Sequence, residues 1–189
     1  MTVTGSINTS GLLISGQWVV YVATADRKSV PAGRTSYGLH VTNLNTGDDL
    51  TLGYIALGLY ETHPEKYYAI DAPWVIWGSQ QPLQNPRLNF YNLESRQTKS
   101  TLLPSLCPMN VLPGVPQNLV ASDGLVLFRS CDPAGYDLHS GQFFAVPINL
   151  HDPLPAGVGG WAFVKGKLVW YDSFSGRTEL YTASVAVSP

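Results

Sequence analysis

Short apolar runs separated by turn residues recur along the chain. Four of them share one pattern, in which two aliphatic residues precede an aromatic residue. The runs are residues 18–21, 74–77, 125–128 and 167–170, and their aromatic residues are Tyr21, Trp77, Phe128 and Trp170. Strands favour β-branched and aromatic residues, whereas proline and glycine interrupt this chain too often for long helices. The pattern therefore predicts an all-β protein.

A second apolar run lies just upstream of each of these, across a tight turn, and predicts a hairpin. The upstream runs are 12–14, 68–70, 119–121 and 161–164. A third strand is expected after each hairpin, at 39–44, 88–93, 143–148 and 180–185, and a weaker fourth strand at 49–52 and 98–103. We therefore expect a single domain, 1–189, built from four repeats at 8–53, 66–104, 117–150 and 158–189.

The repeats are typical of stacked sheets. A four-stranded sheet cannot cover both of its own faces, so neighbouring sheets must share their cores. Meandering four-stranded units recurring at roughly 40 to 60 residues indicate blades of a β-propeller. We interpret the aromatic column as packing between blades. A β-sandwich built from the same hairpins is the alternative fold.

Two segments carry a family resemblance. Residues 16–21 (GQWVVY) and 39–47 (LHVTNLNTG) resemble the repeat of TolB-type and WD-repeat propellers, and residues 91–95 (YNLES) form a partial second copy. The third and fourth repeats lack this ending, and Ser122-Asp123-Gly124 comes nearest to the turn typical of TolB blades. The resemblance implies a propeller of about four blades and no particular function.

The arrangement of the blades has two readings. Residues 2–7 could supply the missing outer strand of the last blade and close a small ring, which would remove an exposed sheet edge. Otherwise the four blades are part of a larger propeller or are completed by a partner. We favour closure.

Composition excludes some functional classes. The 189 residues are 44 % hydrophobic and only 13 % charged, with a net charge of −2 and no basic stripe, so we expect no nucleic-acid partner. No apolar run is long enough to span a membrane, and the first residues do not read as a signal peptide. A surface rich in Ser, Thr, Asn, Gln and Gly favours an extracytoplasmic (periplasmic or secreted) location. Either the protein is not exported or Met1 begins a trimmed chain, and we favour the second.

The two cysteines, Cys107 and Cys131, allow one internal disulfide. Both lie in segments that contain Pro or Gly, where a cross-link would be useful. A disulfide and a pair of free thiols both remain open.

No catalytic motif is evident. The chain lacks a nucleophile elbow, a phosphate-binding loop and a zinc-protease motif. Asp132, Asp137 and His139 are close in sequence, but they lack calcium-loop spacing and indicate an ordinary polar loop. Asp71 and Asp123, the candidates for paired carboxylates, are interpreted as turn residues. We therefore predict no catalytic residue, no metal and no cofactor.

These observations favour a non-catalytic interaction or scaffold module that presents a loop-rich face to another protein, as a subunit of a larger assembly. The residues nominated for that face are Tyr37, Tyr54, Tyr60, Leu83 and Tyr136. A carbohydrate-binding or glycoside-processing propeller is the alternative, since sugars stack on aromatic rings.

Overall fold

The structure is a computed structural model that describes residues 11–24, 35–57, 63–79, 85–104, 114–146, 161–174 and 177–185. Fifteen strands in these residues form four antiparallel sheets. Sheet 1 contains β1 (Leu13–Ser15), β2 (Trp18–Thr24), β3 (Thr35–Asn43) and β4 (Asp49–Leu57). Sheet 2 contains β5 (Tyr68–Asp71), β6 (Trp74–Ser79), β7 (Arg87–Asn92) and β8 (Thr98–Leu102). Sheet 3 contains β9 (Gln117–Ser122), β10 (Leu125–Arg129), β11 (Pro133–Asp137) and β12 (Phe143–Ala145). Sheet 4 contains β13 (Trp161–Val164), β14 (Lys167–Phe174) and β15 (Arg177–Ser184), and a 3-10 helix (Pro64–Tyr67) precedes β5.

Each sheet is a meander, because its strands lie side by side in chain order. The hairpins predicted at the start of each repeat are present. In sheets 3 and 4 they close through two-residue turns in which both residues have positive φ, ending in Gly124 (φ 80°) and Gly166 (φ 70°). Such turns match the twist of the paired strands, and glycine adopts this backbone at no steric cost.

The second strands of sheets 2 and 3 are covered on both faces by neighbouring sheets. In β6, Val75 and Trp77 belong to the core shared with sheet 1, whereas Ile76 between them belongs to the core shared with sheet 3. A strand buried on both faces has no polar face, which explains its continuous apolar sequence. Three residues of the aromatic column pack between sheets, as predicted: Trp77 between sheets 1 and 2, Phe128 between sheets 2 and 3, and Trp170 between sheets 3 and 4. Tyr21 does not, because it lies on the face of sheet 1 that points away from sheet 2 and stacks there on His40.

Three cores join the four sheets in order, and the first strands lie next to one another, β1 with β5, β5 with β9 and β9 with β13. This arrangement is that of propeller blades around a common axis. Among the described strands no comparable contact joins sheet 4 to sheet 1. The favoured closure of the ring is therefore not seen in this part of the chain, and the proposed closing segment, 2–7, lies outside the described residues.

One hydrogen bond recurs at each junction between sheets. A side chain at the end of a first strand accepts it from a backbone amide in the first turn of the following sheet. The three bonds run from Ala72 to Ser15 (3.4 Å), from Gly124 to Asp71 (2.8 Å) and from Lys165 to Ser122 (3.1 Å). Asp71 is thus a structural acceptor between sheets 2 and 3.

The third repeat differs from the prediction. Its third strand is β11, which the sequence analysis had placed in a long loop, and the segment predicted as the third strand contains the fourth, β12. Proline and glycine have weak strand propensity, so β11 carries little strand signal of its own. The glycine is required in this strand, because a Cβ at Gly135 would collide with the ring of Phe144 on β12. The connection before β11 is consequently only three residues long.

Candidate functional site

The two ends of the sheets are built differently. Tight turns join first to second strands and third to fourth strands, and they lie together at one end, here called the turn face. The opposite end, the loop face, carries the connections between second and third strands and between successive sheets. Most residues of those longer connections lie outside the described ranges.

The residues nominated for binding do not form one patch. Tyr37 is half-buried and packs on the core between sheets 1 and 2, whereas Tyr54 is exposed on β4. Tyr136 is buried on β11, with its ring 4.9 Å from those of Phe90 and Phe143. The other two nominated residues, Tyr60 and Leu83, lie outside the described residues.

A groove opens on the turn face between sheets 1 and 2. Its volume is about 480 Å³. Trp18 from β2 and Tyr91 from β7 are its aromatic lining, Val41 and Leu93 are aliphatic lining residues, and Leu50 is exposed at its edge. An apolar interior with a few polar groups at the rim is the usual composition of a binding site.

Two turns set the rim of the groove. In sheet 1 the Asn43 side-chain oxygen accepts hydrogen bonds from the amides of Asn45 (2.9 Å) and Thr46 (3.4 Å). In sheet 2 the Asn92 side-chain oxygen accepts them from Glu94 (3.0 Å) and Ser95 (2.8 Å). Asparagine readily forms such turns, because its side chain bonds the backbone two residues on. Hydrogen bonds between an asparagine side chain and the backbone therefore hold the rim in place on both sides.

The rim carries charges of both signs. Asp48 lies on the sheet 1 side, and its carboxylate accepts a hydrogen bond from the Thr46 hydroxyl at 2.8 Å. Arg96 lies on the sheet 2 side, in a left-handed backbone conformation (φ 58°). A ligand in the groove could thus meet an anion and a cation on opposite sides of an apolar floor.

A polar cluster covers the other face of sheet 1, away from sheet 2. The Asp49 carboxylate accepts hydrogen bonds from the Thr42 hydroxyl (2.6 Å) and the Tyr21 hydroxyl (3.0 Å), and it lies 3.0 Å from Nδ1 of His40. The His40 ring stacks on Tyr21, with the ring centroids 5.2 Å apart. Burial alone would raise the pKa of Asp49, but the hydrogen bonds from Thr42, His40 and Tyr21 outweigh it and lower that pKa. Burial raises the pKa of Tyr21.

The turn motif of the groove rim occurs a third time, and the sequence analysis missed it. Residues 137–141 (DLHSG) repeat the pattern of 43–47 (NLNTG), and the Asp137 carboxylate accepts hydrogen bonds from the His139 amide (2.8 Å) and the Ser140 hydroxyl (2.9 Å). The His139 amide is the main cause of the lowered pKa of Asp137, and burial opposes it. The signal was visible as Asp-Leu-x-Ser-Gly, but the misplaced third strand concealed it.

Two further observations bear on chemistry. Within the residues that the structure describes, no three His, Cys, Asp or Glu side chains are grouped so as to hold a metal ion. In the same ranges, no helix is both long enough and apolar enough to cross a membrane. Cys131 lies in the connection between β10 and β11, and Cys107 lies outside the described residues, so the Cys107–Cys131 bond stays a prediction.

Comparison with known proteins finds similarity in fold. No family model matches the chain, and no curated protein matches its sequence. The crystal structure of TolB from Acinetobacter baumannii is similar at a TM-score of 0.51 and 13 % identity, covering 89 % of this chain and 38 % of that one. A structure from a study of two prolyl endopeptidases is similar at a TM-score of 0.53 and 13 % identity, covering 95 % of this chain and 27 % of that one.

The fold class follows from the sheets and these likenesses together. The chain is an all-β protein of the β-propeller class, and the described residues form four of its blades. It spans 27 % of one of these similar structures and 38 % of the other. At 13 % identity the likeness concerns the fold alone, so function must be argued from the site.

Proposed function

We propose that this chain is a non-catalytic protein–protein interaction module that holds a segment of another protein in the groove between sheets 1 and 2. The groove itself carries the proposal. It offers two aromatic rings, Trp18 and Tyr91, at a fixed turn rim. Tyrosine and tryptophan supply much contact area at little entropic cost and are enriched where proteins bind each other.

The groove favours an extended segment with one apolar side chain between polar flanks. The apolar side chain would rest on Trp18 and Leu50. The flanks would meet Asp48 on one side and Arg96 on the other, and such rim charges select and orient a partner more than they add affinity. The loop face stays a second predicted binding surface. Most of its connections lie outside the described residues.

A site-specific photo-crosslinker tests this proposal in the cells that produce the protein. A benzophenone side chain at Leu50 lies at the groove, and the same group at Leu102, exposed on sheet 2 outside the groove, is the control. We expect a discrete crosslinked product from position 50 and none from position 102. The Arg96→Glu change should weaken that product, whereas Glu94→Lys in the same turn should not. Equal products from both positions would contradict the proposal.

One observation favours a glycan as the alternative ligand. Trp18 lies in the groove beside the polar side chains of Asn43 and Asp48, and an aromatic platform with neighbouring polar groups also suits a sugar ring. Binding to a glycan array that Asp48→Lys abolishes, without any crosslinked protein from position 50, would favour this alternative.

We further infer an extracytoplasmic location. The chain has few charged residues and is rich in Ser, Thr, Asn, Gln and Gly rather than in Lys and Glu. A disulfide between its two cysteines would fit an oxidising compartment. Fractionation of the producing cells, followed by detection of the chain outside the cytoplasm, tests this location. Recovery with the cytoplasmic fraction would contradict it.

A further inference from the structure

The two end sheets each have one face that no other sheet covers among the described residues. We call the face of sheet 1 that points away from sheet 2 its outer face, and the face of sheet 4 that points away from sheet 3 its outer face. Large apolar side chains are exposed on both. They are Ile14 (62 % exposed), Leu44 (59 %) and Tyr54 (56 %) on sheet 1, and Val164 (61 %) and Leu180 (73 %) on sheet 4.

The repeat shows what these positions do elsewhere. Leu93 in sheet 2 and Leu138 in sheet 3 follow the third strand as Leu44 does in sheet 1, and each amide bonds a carbonyl in the first turn of its own sheet. Both leucines point to the preceding sheet and are only 5 % and 8 % exposed. Leu44 is therefore an inter-sheet core residue that lacks its neighbouring sheet.

The two outer faces are the two halves of one missing junction. Every junction inside the chain joins the following side of one sheet to the preceding side of the next. In the part of the chain that the structure describes, no sheet covers the preceding side of sheet 1 or the following side of sheet 4. The outer face of sheet 4 is therefore suited to pack on the outer face of sheet 1. Neither face is suited to pack on a second copy of itself.

Charge complementarity points the same way. At the first two junctions an aromatic residue at the start of a second strand shares a core with a tyrosine near the end of the next third strand. The pairs are Trp18 with Tyr91 and Trp74 with Tyr136. On the outer faces the corresponding positions hold Lys167 on sheet 4 and Thr42 on sheet 1, and Thr42 is paired with the Asp49 carboxylate. If these two faces packed together as the internal junctions do, the Lys167 ammonium would lie near the Asp49 carboxylate.

We propose that a second copy of this chain covers these faces. The outer face of sheet 4 in each molecule packs on the outer face of sheet 1 in the other. Two identical junctions related by a two-fold axis then close a ring of eight sheets, within the range of known propellers. All five apolar side chains leave the solvent, and Lys167 faces Asp49 of the partner.

This junction lacks the hydrogen bond that recurs inside the chain. Val164 stands where Ser15, Asp71 and Ser122 accept a backbone amide in the other sheets, and a valine side chain cannot accept one. The junction between copies is thus held by apolar contact and charge alone. Dimerisation should consequently depend on concentration and on salt.

Sedimentation velocity and native mass spectrometry of the 189-residue chain test the proposal. We expect a species of twice the 20.5 kDa chain mass that dissociates on dilution. Lys167→Glu places two like charges together, and Leu180→Glu places a charge in an apolar contact. Each should weaken dimerisation by about tenfold or more. Lys165→Glu has the same change in net charge at the tip of the same hairpin and should leave it unchanged.

A double-mutant comparison tests whether Lys167 of one copy contacts Asp49 of the other. Asp49→Asn keeps an acceptor for Thr42 and Tyr21, so sheet 1 should stay folded by circular dichroism. If Lys167 faces Asp49, then Lys167→Met and Asp49→Asn each weaken dimerisation. The double variant should then dimerise with about the affinity of the single variant that dimerises less tightly. A chain that stays monomeric at every soluble concentration overturns the proposal. A dimer that Lys167→Glu and Leu180→Glu both leave unchanged overturns it equally.

Discussion

Leu44 and Leu93 stand at the same position of two successive sheets, yet 59 % of Leu44 is exposed and only 5 % of Leu93. The residue before each of them, Asn43 or Asn92, forms the same turn with the same backbone hydrogen bonds. The difference between the leucines arises from what lies beside each sheet. Leu93 packs against sheet 1, whereas no sheet in the described residues lies against the face of sheet 1 that carries Leu44.

The first prediction uses this pair. Leu93→Ala should lower the free energy of unfolding by about 2 to 4 kcal/mol, because it leaves a cavity between sheets 1 and 2. Leu44→Ala in dilute protein should change it by less than about 0.5 kcal/mol, as exposed positions do. Chemical denaturation of both variants checks this. Equal losses at the two positions would mean that something covers Leu44 in solution.

The second prediction concerns the bond between sheets 2 and 3. Asp71→Ala removes the acceptor of the Gly124 amide and should lower the free energy of unfolding by about 1 to 3 kcal/mol. Asp71→Asn keeps an oxygen in place and should retain most of the stability. Chemical denaturation of the two variants distinguishes them. The prediction is wrong if the alanine variant is as stable as the asparagine variant.

The third prediction concerns Lys99, whose ammonium lies 5.0 Å from the Trp74 ring, 5.1 Å from Phe90 and 5.7 Å from Tyr136. The cation lies over aromatic rings from two sheets and should stabilise their junction. Lys99→Met keeps the aliphatic stem but removes the charge, so we expect a loss of about 0.5 to 1 kcal/mol in thermal or chemical unfolding. Lys167→Met, measured in dilute protein, is the control, because Lys167 does not lie over such a group of rings. It should leave the stability nearly unchanged.

The fourth prediction is a dependence of stability on acid. Hydrogen bonds lower the pKa of Asp49 below its ordinary value of 3.8 in the folded chain, so the folded state binds this proton less readily than the unfolded state. The resulting stabilisation is complete above pH 3.8 and is lost as the pH falls through the folded pKa. Asp49→Asn should therefore flatten the loss of stability below that pH. Unfolding curves measured between neutral and acidic pH test the slope, and an unchanged slope would contradict this role.

The fifth prediction concerns the cysteines. If Cys107 and Cys131 are bonded, the intact mass of the chain purified without reductant is two hydrogens below the mass of the reduced chain. Reaction of the unfolded chain with a thiol reagent should then label neither cysteine until reductant is added. Labelling of both without reductant would show that the pair is free.

Local pattern predicted most of the elements. The hairpins of all four repeats were predicted close to their observed positions, because apolar strands and turn residues act through neighbouring residues. The third strand of sheet 3 was missed, since Pro133, Ala134 and Gly135 have weak strand propensity. Pairing with β10 and the close approach of Phe144 impose the strand there.

The candidate site was predicted less well, for a related reason. Tyr136 was expected at an exposed face and is buried, because the sequence does not show which sheet lies against its strand. The groove was not predicted at all, since Trp18 and Tyr91 are separated by most of two repeats. Asn43 and Asn92, which shape its rim, lay in the motif that carried the family resemblance.

The sequence by itself determined an all-β chain of four repeats, each opened by a tight hairpin. Those features depend on side-chain alternation and turn chemistry within a few residues. Only the tertiary structure decided which leucine is buried, where the groove opens and which sheet faces remain uncovered. Those features depend on which sheets pack together. The similar local motifs around Leu44 and Leu93 do not show which sheet, if any, packs against each leucine.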